Sequence, residues 1–169
     1  WQAKMTYDHD LEINRPWYYS TYLIDEGIKV EYTAGKKAGI YRMTFPAGKQ
    51  RKSLLMDVYN NGGNEWKFVS GKEVMAFETY HEDIKVYMYG TFNIKATAVV
   101  EGRRAAVEFP DDAQTVEFRY AISFISAGQA RKNFTNELAH AGFETLKTAG
   151  RRAWEDQIGR IRTEGGTEA

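Results

Sequence analysis

Polar and apolar residues alternate along most of the chain between residues 17 and 124, which is the pattern of half-buried β-strands. The alternation is clearest in residues 28–32, 41–45 and 116–124. In the second of these runs, Tyr41 and Met43 are predicted to be buried and Ile40 to lie on the wetter face. Turn-forming residues separate the runs, so we predict about eight to ten antiparallel strands packed as a mainly β fold, a β-sandwich.

A helical period replaces this alternation after residue 126. Ser126 and Gln129 have the spacing of a capping box, which marks the start of a helix. The apolar stripe of this helix recurs at every fourth position and consists of Ala130, Phe134 and Leu138. Gly142 fits the C′ position that ends such a helix.

A second amphipathic helix is predicted after Gly142. Its apolar face consists of Phe143, Leu146, Trp154, Ile158 and Ile161. Gly150 and Gly159 each cost about 1 kcal/mol relative to alanine inside a helix, so packing must hold this helix in place. The strands do not need such a helix as a cap, and we therefore expect Trp154 and Ile158 to dock on another domain.

The chain divides into three predicted parts. They are a β-sandwich in residues 1–126, a helical connector in residues 127–161 and the start of a further segment in residues 162–169. The sequence starts at Trp1, its first methionine is Met5, and it ends soon after Gly166. We accordingly expect an excised domain of a longer protein.

Composition narrows the classes of function. Lys plus Arg and Asp plus Glu both number 23, so no net charge attracts nucleic acid. The absence of cysteine excludes disulfides, thiolate catalysis and zinc sites with cysteine ligands. No run approaches the ~18 apolar residues of a membrane span. The length of 169 residues fits a single domain with a substantial core.

Three acidic residues and a histidine lie within residues 7–12. In an extended strand, Asp8, Asp10 and Glu12 would share one face at steps of about 6.6 Å, and His9 would point the other way. Three interpretations stay open: a calcium site, a polar rim that contacts substrate or a partner domain, and a solvated strand. The calcium site is the least favoured of the three, so we assign no metal ligand, and we select His9, Asp10 and Glu12 as candidate contact residues.

Aromatic residues are most concentrated at Trp17, Tyr18, Tyr19 and Tyr22. Flat rings can stack on sugars, although packing inside a sandwich is the favoured interpretation because strands favour aromatic residues. The acidic and histidine-containing residues 80–83 are predicted to form an ordinary hairpin turn. No motif for a nucleophile, a phosphate-binding loop or a paired metal site occurs, so we predict no catalytic residue.

Several short segments form an ordered series along the chain. They are Asp8-His-Asp-Leu-Glu12, Trp17-Tyr-Tyr-Ser20, Gly27-Ile-Lys-Val-Glu-Tyr-Thr33, Ala38-Gly-Ile-Tyr-Arg-Met-Thr-Phe-Pro46, Leu54-Leu-Met-Asp57, Ile122-Ser-Phe-Ile-Ser126, Gln129-Ala-Arg-Lys-Asn133, Trp154 and Glu164-Gly-Gly-Thr-Glu168. The series resembles the N-terminal domain of glycoside hydrolase family 92, and the resemblance is looser between residues 60 and 116. It implies a sandwich similar to the galactose-mutarotase supersandwich, joined through linker helices to an (α/α)6 catalytic barrel.

The resemblance also implies a function. Members of the family are calcium-dependent, inverting, exo-acting α-mannosidases, mostly bacterial and exported, and many act on α-1,2 linkages. Their catalytic residues and calcium ligands belong to the barrel, so this domain is expected to be non-catalytic and to hold no cofactor. The expected partners are that barrel and mannose-containing glycans, and the expected location is the periplasm, the cell surface or the medium.

Particular residues follow from this expectation. His9, Asp10, Glu12 and Trp17 are the candidate substrate-binding or domain-junction residues, because they would lie beside the sugar pocket. Two alternatives stay open. One is a free-standing carbohydrate-binding sandwich that uses Trp17, Tyr19 and Trp66 as platforms, and the other is a purely structural sandwich.

Overall fold

The computed structural model describes residues 4–48, 51–58, 63–81, 83–161 and 164–166. The strands are β1 (Ile13–Arg15), β2 (Tyr18–Leu23), β3 (Ile28–Ala34), β4 (Ala38–Thr44), β5 (Lys52–Asp57), β6 (Asn64–Val69), β7 (Glu73–His81), β8 (Ile84–Phe92), β9 (Thr97–Glu101), β10 (Arg104–Phe109) and β11 (Thr115–Ser123). A 3-10 helix (His9–Leu11) precedes them, and α1 (Ala127–Leu138) and α2 (Phe143–Ile158) follow.

The strands form two antiparallel sheets. The larger has eight strands in the order β1-β2-β3-β4-β11-β8-β7-β6, and the smaller has three in the order β5-β10-β9. Most strands that are consecutive in sequence pair with each other as β-hairpins. Turn-forming residues connect the two strands of each hairpin. The prediction of a mainly β, antiparallel sandwich followed by two helices is confirmed, and so is the hairpin between β7 and β8.

One hydrophobic core lies between the two sheets. Its buried members are Ile28, Met43, Phe45, Val74, Phe92, Val107, Phe109, Val116 and Phe118. The ring of Phe92 on the larger sheet contacts that of Phe109 on the smaller sheet, with centroids 5.5 Å apart. Residues at alternate positions along β3, β4 and β11 supply this core, as the periodicity predicts.

A second core lies on the opposite face of the larger sheet, where the helices pack. Its buried members are Tyr18, Ala38, Ile40, Ala121, Leu138, Phe143 and Leu146. The prediction that Ile40 lies on the wetter face is wrong, because the helices cover that face and bury Ile40 completely. The prediction that Tyr41 is buried is also wrong, since 39% of its surface stays exposed.

The ends of α1 are held by side chains. At its N-terminus, the Ser126 hydroxyl accepts a hydrogen bond of 3.1 Å from the backbone N–H of Gln129, as predicted. At its C-terminus, the Arg119 guanidinium donates to the carbonyl oxygens of Leu138 and Ala141. The prediction that Gly142 ends α1 is wrong. The hydrogen bonds from Arg119 cap this end of α1, and Gly142 is the N-cap of α2.

Only the first half of α2 is packed on the sheet. Phe143 and Leu146 are its buried residues, and every residue from Arg151 to Ile161 is exposed. Gly150 allows the close approach, because a Cβ there would lie 3.1 Å from the Cβ of Trp17. No helix in the described part of the chain is both long and apolar enough to cross a membrane.

Candidate functional site

The acidic segment near the N-terminus is a turn and not an extended strand. Asp8 caps a 3-10 helix, and its carboxylate accepts a hydrogen bond of 2.9 Å from the backbone N–H of Asp10. The predicted extended geometry, with three carboxylates on one face, is therefore wrong. A short acidic side chain that captures a backbone N–H two residues on stabilises a turn of this kind.

The turn brings His9 and Glu12 together, which an extended chain would have separated. His9 Nδ1 lies 2.7 Å from Glu12 Oε2, and the Tyr19 hydroxyl donates a hydrogen bond to Glu12 Oε1. The hydrogen bonds from Tyr19 and His9 lower the pKa of Glu12, and the bond to Glu12 raises the pKa of Tyr19. The Tyr7 ring packs edge-on against the imidazole, with centroids 5.1 Å apart.

This His9–Glu12–Tyr19 cluster has an accessible polar surface. The His9 side chain is 80% exposed, whereas the Glu12 side chain is 18% exposed. Glu12 is thus fixed by two partners, and the imidazole is presented to solvent with one ring nitrogen occupied. Such an arrangement can orient a hydroxyl-rich ligand through the second ring nitrogen. Asp10 is exposed at the same turn, where its backbone N–H is bonded to Asp8.

Trp17 lies on the helix side of the sheet. It packs against the second core, and its backbone carbonyl accepts a hydrogen bond of 2.9 Å from the Thr33 hydroxyl. Tyr19 instead pairs with Tyr32, whose ring contacts Tyr41 on the face toward the smaller sheet. Trp17 and the His9–Glu12–Tyr19 cluster therefore lie near the same end of β2 but serve different faces of the sheet.

The proposed platform of Trp17, Tyr19 and Trp66 is not assembled. Trp66 belongs to β6, at the opposite edge of the larger sheet from β2. Its indole N–H donates to the carbonyl oxygen of Arg103 at 3.0 Å, and its ring stacks on Phe68. These contacts make Trp66 part of the packing between the sheets. The three aromatic residues share no common surface, so this set cannot form one sugar platform.

An aromatic patch on the inner face of the larger sheet was not predicted. The Tyr32 and Tyr41 rings lie 4.5 Å apart, and the Tyr32 and Tyr120 hydroxyls lie 3.1 Å apart. Gly39 makes this possible, because a Cβ there would lie 2.7 Å from the Tyr32 hydroxyl oxygen. Burial, followed by the bond to Tyr32, raises the pKa of Tyr120. Tyr41 and Tyr120 line a cleft of about 760 Å³ beside β5.

A buried charge network on the opposite face was also missed. Glu31 accepts hydrogen bonds from the Tyr18 hydroxyl at 2.7 Å and from Arg42 Nε at 2.8 Å. Burial acts to raise the pKa of Glu31, but the hydrogen bonds from Arg42 and Tyr18 lower it to about 2. Arg42 also pairs with Glu144 of α2 at 2.8 Å. Glu31 and Arg42 are direct cross-strand partners, which a correct register for the β3–β4 hairpin would have revealed.

The predicted docking residues lie at the far end of α2. Trp154 follows Gly150 by four positions, and Ile158 follows Trp154 by four, so both continue the stripe that faces the sheet. Their exposed fractions are 46% and 60%. The stripe therefore extends past the sheet and leaves an apolar surface uncovered.

Comparisons with known proteins identify a relationship. Residues 1–123 match the family described as Glycosyl hydrolase family 92 N-terminal domain. No curated protein matches the chain.

Solved structures share the fold. The family GH92 inverting mannosidase BT2199 from Bacteroides thetaiotaomicron is 22% identical with a TM-score of 0.86, and the match covers 96% of this chain and 25% of that one. The family GH92 α-mannosidase BT3965 from the same organism is 23% identical with a TM-score of 0.84, over 96% and 26% of the two chains. The gh92 family glycosyl hydrolase ccman5 is 21% identical with a TM-score of 0.79, over 96% and 26%. The chain thus spans about a quarter of the length of these enzymes.

Proposed function

The chain belongs to glycosyl hydrolase family 92, whose N-terminal domain it carries, and we propose that it is the non-catalytic β-sandwich of an exo-acting α-mannosidase. The observation that carries the proposal is the family match over residues 1–123. The fold shared with two mannosidases, each matched over about a quarter of its length, supports it. The proposal places catalysis in the part of such a polypeptide that this chain does not cover.

Two carboxylates near the proposed pocket and in the sheet, those of Glu12 and Glu31, have structural partners. Inverting hydrolysis needs two carboxyl groups about 6.5–9.5 Å apart with a water between them. We propose that the acid, the base and a calcium ion belong to an (α/α)6 barrel. Among the residues that the structure describes, no three acidic or histidine side chains converge as metal ligands.

The His9–Glu12–Tyr19 cluster is the proposed contribution to the wall of the sugar pocket. Glu12 is fixed by two partners and His9 is exposed, so the cluster is organised before a ligand arrives. A polar group held in this way contributes by orienting the substrate. Asp10 is exposed on the same turn, and Trp17 supports this end of the sheet from the helix side. The proposed ligands are mannose-containing glycans.

Trp154 and Ile158 are the proposed contacts to the catalytic domain. Both are large, apolar and exposed, and they continue a stripe that is buried where the helix meets the sheet. Exposed apolar side chains grouped in this way are typical of an interaction surface. An exported location, in the periplasm, at the cell surface or in the medium, belongs to the same proposal and rests on the family resemblance.

Substitution in the longer polypeptide tests the pocket-wall role. We expect alanine at His9, Asp10 and Glu12 together to reduce kcat/KM for an α-1,2-mannobiose by at least about tenfold, because misplacing a substrate costs rate. The same three substitutions should lower the melting temperature of the isolated chain only slightly, so that unfolding does not explain the kinetic loss. A control with alanine at Glu101 and Glu108, both exposed on the smaller sheet, should leave the kinetics unchanged. Unchanged kinetics in the triple variant would show that the turn is only a solvated surface.

A further inference from the structure

The smaller sheet covers only part of the larger one. It has three strands against eight, so at a spacing of about 4.8 Å between strands it is about 24 Å narrower. Two sheets packed as a sandwich normally bury the inner faces of both. Tyr41 lies on the part of the inner face that stays uncovered, and 39% of its surface is exposed. The core between the sheets is therefore incomplete along one side of the smaller sheet.

The uncovered side is an apolar cleft. It has a volume of about 760 Å³ and lies between β5 and the inner face of the larger sheet. Seven of the residues that line it pack against the core but stay only partly buried: Leu23, Val30, Leu54, Met56, Trp66, Met88 and Tyr120. Burying the remaining apolar surface of such residues is favourable, because it removes that surface from water and adds dispersion contacts. An occupant with apolar side chains would therefore stabilise the fold.

The strand beside the cleft has an unpaired edge. Among the strands that the structure describes, β5 pairs with β10 alone, through all six of its residues. About half of the backbone N–H and C=O groups of an edge strand point away from its partner, where they can bind a further strand. The opposite edge of the same sheet is β9, whereas the cleft lies on the β5 side. A strand added to β5 would thus satisfy these backbone groups and fill the cleft at the same time.

The first described residues of the chain lead to this cleft. Tyr7 forms an isolated β-bridge with Leu23, and the carbonyl oxygen of Thr6 accepts a hydrogen bond of 3.0 Å from the backbone N–H of Ile24. Met5 lines the cleft together with Leu23. The chain spans about a quarter of the length of its relatives, so further polypeptide is available to fill the cleft. A strand joined to this end of the chain would have a high effective concentration there, whereas a second copy would bind from solution.

We propose that a further β-strand, supplied by the longer polypeptide from the N-terminal side of this chain, pairs with the free edge of β5 and fills the cleft. Backbone hydrogen bonds to β5 fix the register of the added strand. Its apolar side chains, at alternate positions, cover Tyr41 and Met56. This inference goes beyond the proposed function, because it concerns the completion of the sandwich and no step of glycan binding or hydrolysis.

Hydrogen exchange compares the two edges of the smaller sheet, in this chain alone and in this chain within the longer polypeptide. We expect about half of the backbone amides of β5 to exchange at least about tenfold more slowly in the longer polypeptide, because they gain a partner. The amides of β9, the matched control edge, should exchange at similar rates in both. Equal exchange of β5 in the two polypeptides, or the same slowing at β9, would overturn the proposal.

A photoreactive side chain identifies the occupant of the cleft. In the longer polypeptide, p-benzoylphenylalanine replaces Tyr41 in one variant and Tyr22 in the matched control. Tyr22 has nearly the same exposure, 40%, and lies on the opposite face of the same sheet. We expect irradiation to link position 41, and not position 22, to a peptide from the N-terminal side of residue 1. A link from position 41 to a segment after residue 169 or to a second copy, or no link at all, would overturn the proposal.

Discussion

Replacing Glu31 with glutamine is expected to destabilise the domain strongly. Glutamine keeps the shape of the side chain, removes its charge and presents an NH2 group where an acceptor is needed. The carboxylate is buried and accepts hydrogen bonds from Tyr18 and from two nitrogens of Arg42. The substitution therefore leaves buried donors with a poorer partner, which costs more than removing the whole network would.

The size of the effect follows from two observations. The pKa of Glu31 falls from an ordinary value of 4.5 to about 2, which corresponds to about 3 kcal/mol of stabilisation at pH 7. Hydrogen bonds to charged groups contribute about 1.5–3 kcal/mol each, and the glutamine carbonyl retains part of that. The neighbouring Lys29 is half exposed, so its 3.2 Å ion pair contributes little. We expect a loss of about 2–4 kcal/mol in the free energy of unfolding.

The loss should depend on pH in a defined direction. The pKa of Glu31 is lower in the folded state, so its carboxylate stabilises the fold above about pH 4.5. This stabilisation is lost as the pH falls from about 4.5 toward about 2. The difference between the natural chain and the Glu31→Gln variant should therefore be complete at pH 7 and shrink on acidification.

Urea unfolding followed by circular dichroism at pH 7 and pH 3.5 measures both quantities. Glu108→Gln, at an exposed position of β10, is the matched control and should change stability by no more than about 0.5 kcal/mol. A loss below about 1 kcal/mol at pH 7, or one that is the same at both pH values, would show that the buried partners do not stabilise the charged form of Glu31.

Two further substitutions test the packing. Gly39→Ala should cost about 1–3 kcal/mol in urea unfolding, because its Cβ would lie 2.7 Å from the Tyr32 hydroxyl oxygen, whereas Gly128→Ala, in an open helical position, should be neutral or stabilising. A harmless Gly39→Ala would show that the tyrosine patch is loosely packed. Trp154→Ala should cost less than about 1.5 kcal/mol in this chain and clearly more in the longer polypeptide, whereas Phe143→Ala should cost about 3–5 kcal/mol in both. Large and equal losses for Trp154→Ala in both would place this residue in the domain's own core.

Elements determined by local chemistry could be predicted from the sequence. Alternation identified the strands because side chains on a strand point to opposite faces regardless of what covers them. Ser126 was correctly placed as an N-cap because capping involves only the next three residues. The 3-10 turn at His9–Leu11 was missed, although Asp8 is a residue type that caps such turns.

Properties determined by distant segments could not be predicted in the same way. Ile40 is buried because helices from the end of the chain cover its face of the sheet, and Tyr41 is exposed because the smaller sheet covers its face only in part. The Glu12–Tyr19 bond depends on how the turn packs against β2. The roles of His9, Asp10, Glu12 and Trp17 in substrate binding, and of Trp154 and Ile158 in docking, stay predictions.

Release of mannose from an α-1,2-mannobiose distinguishes a non-catalytic sandwich from a catalytic one. It should be measured in the presence of calcium, with equal molar amounts of this chain alone and of this chain within the longer, family-length polypeptide. We expect release by the longer polypeptide and none by this chain, with or without calcium, because we propose that the catalytic carboxylates belong to the barrel. Reproducible release by this chain alone would contradict the assignment of a non-catalytic sandwich.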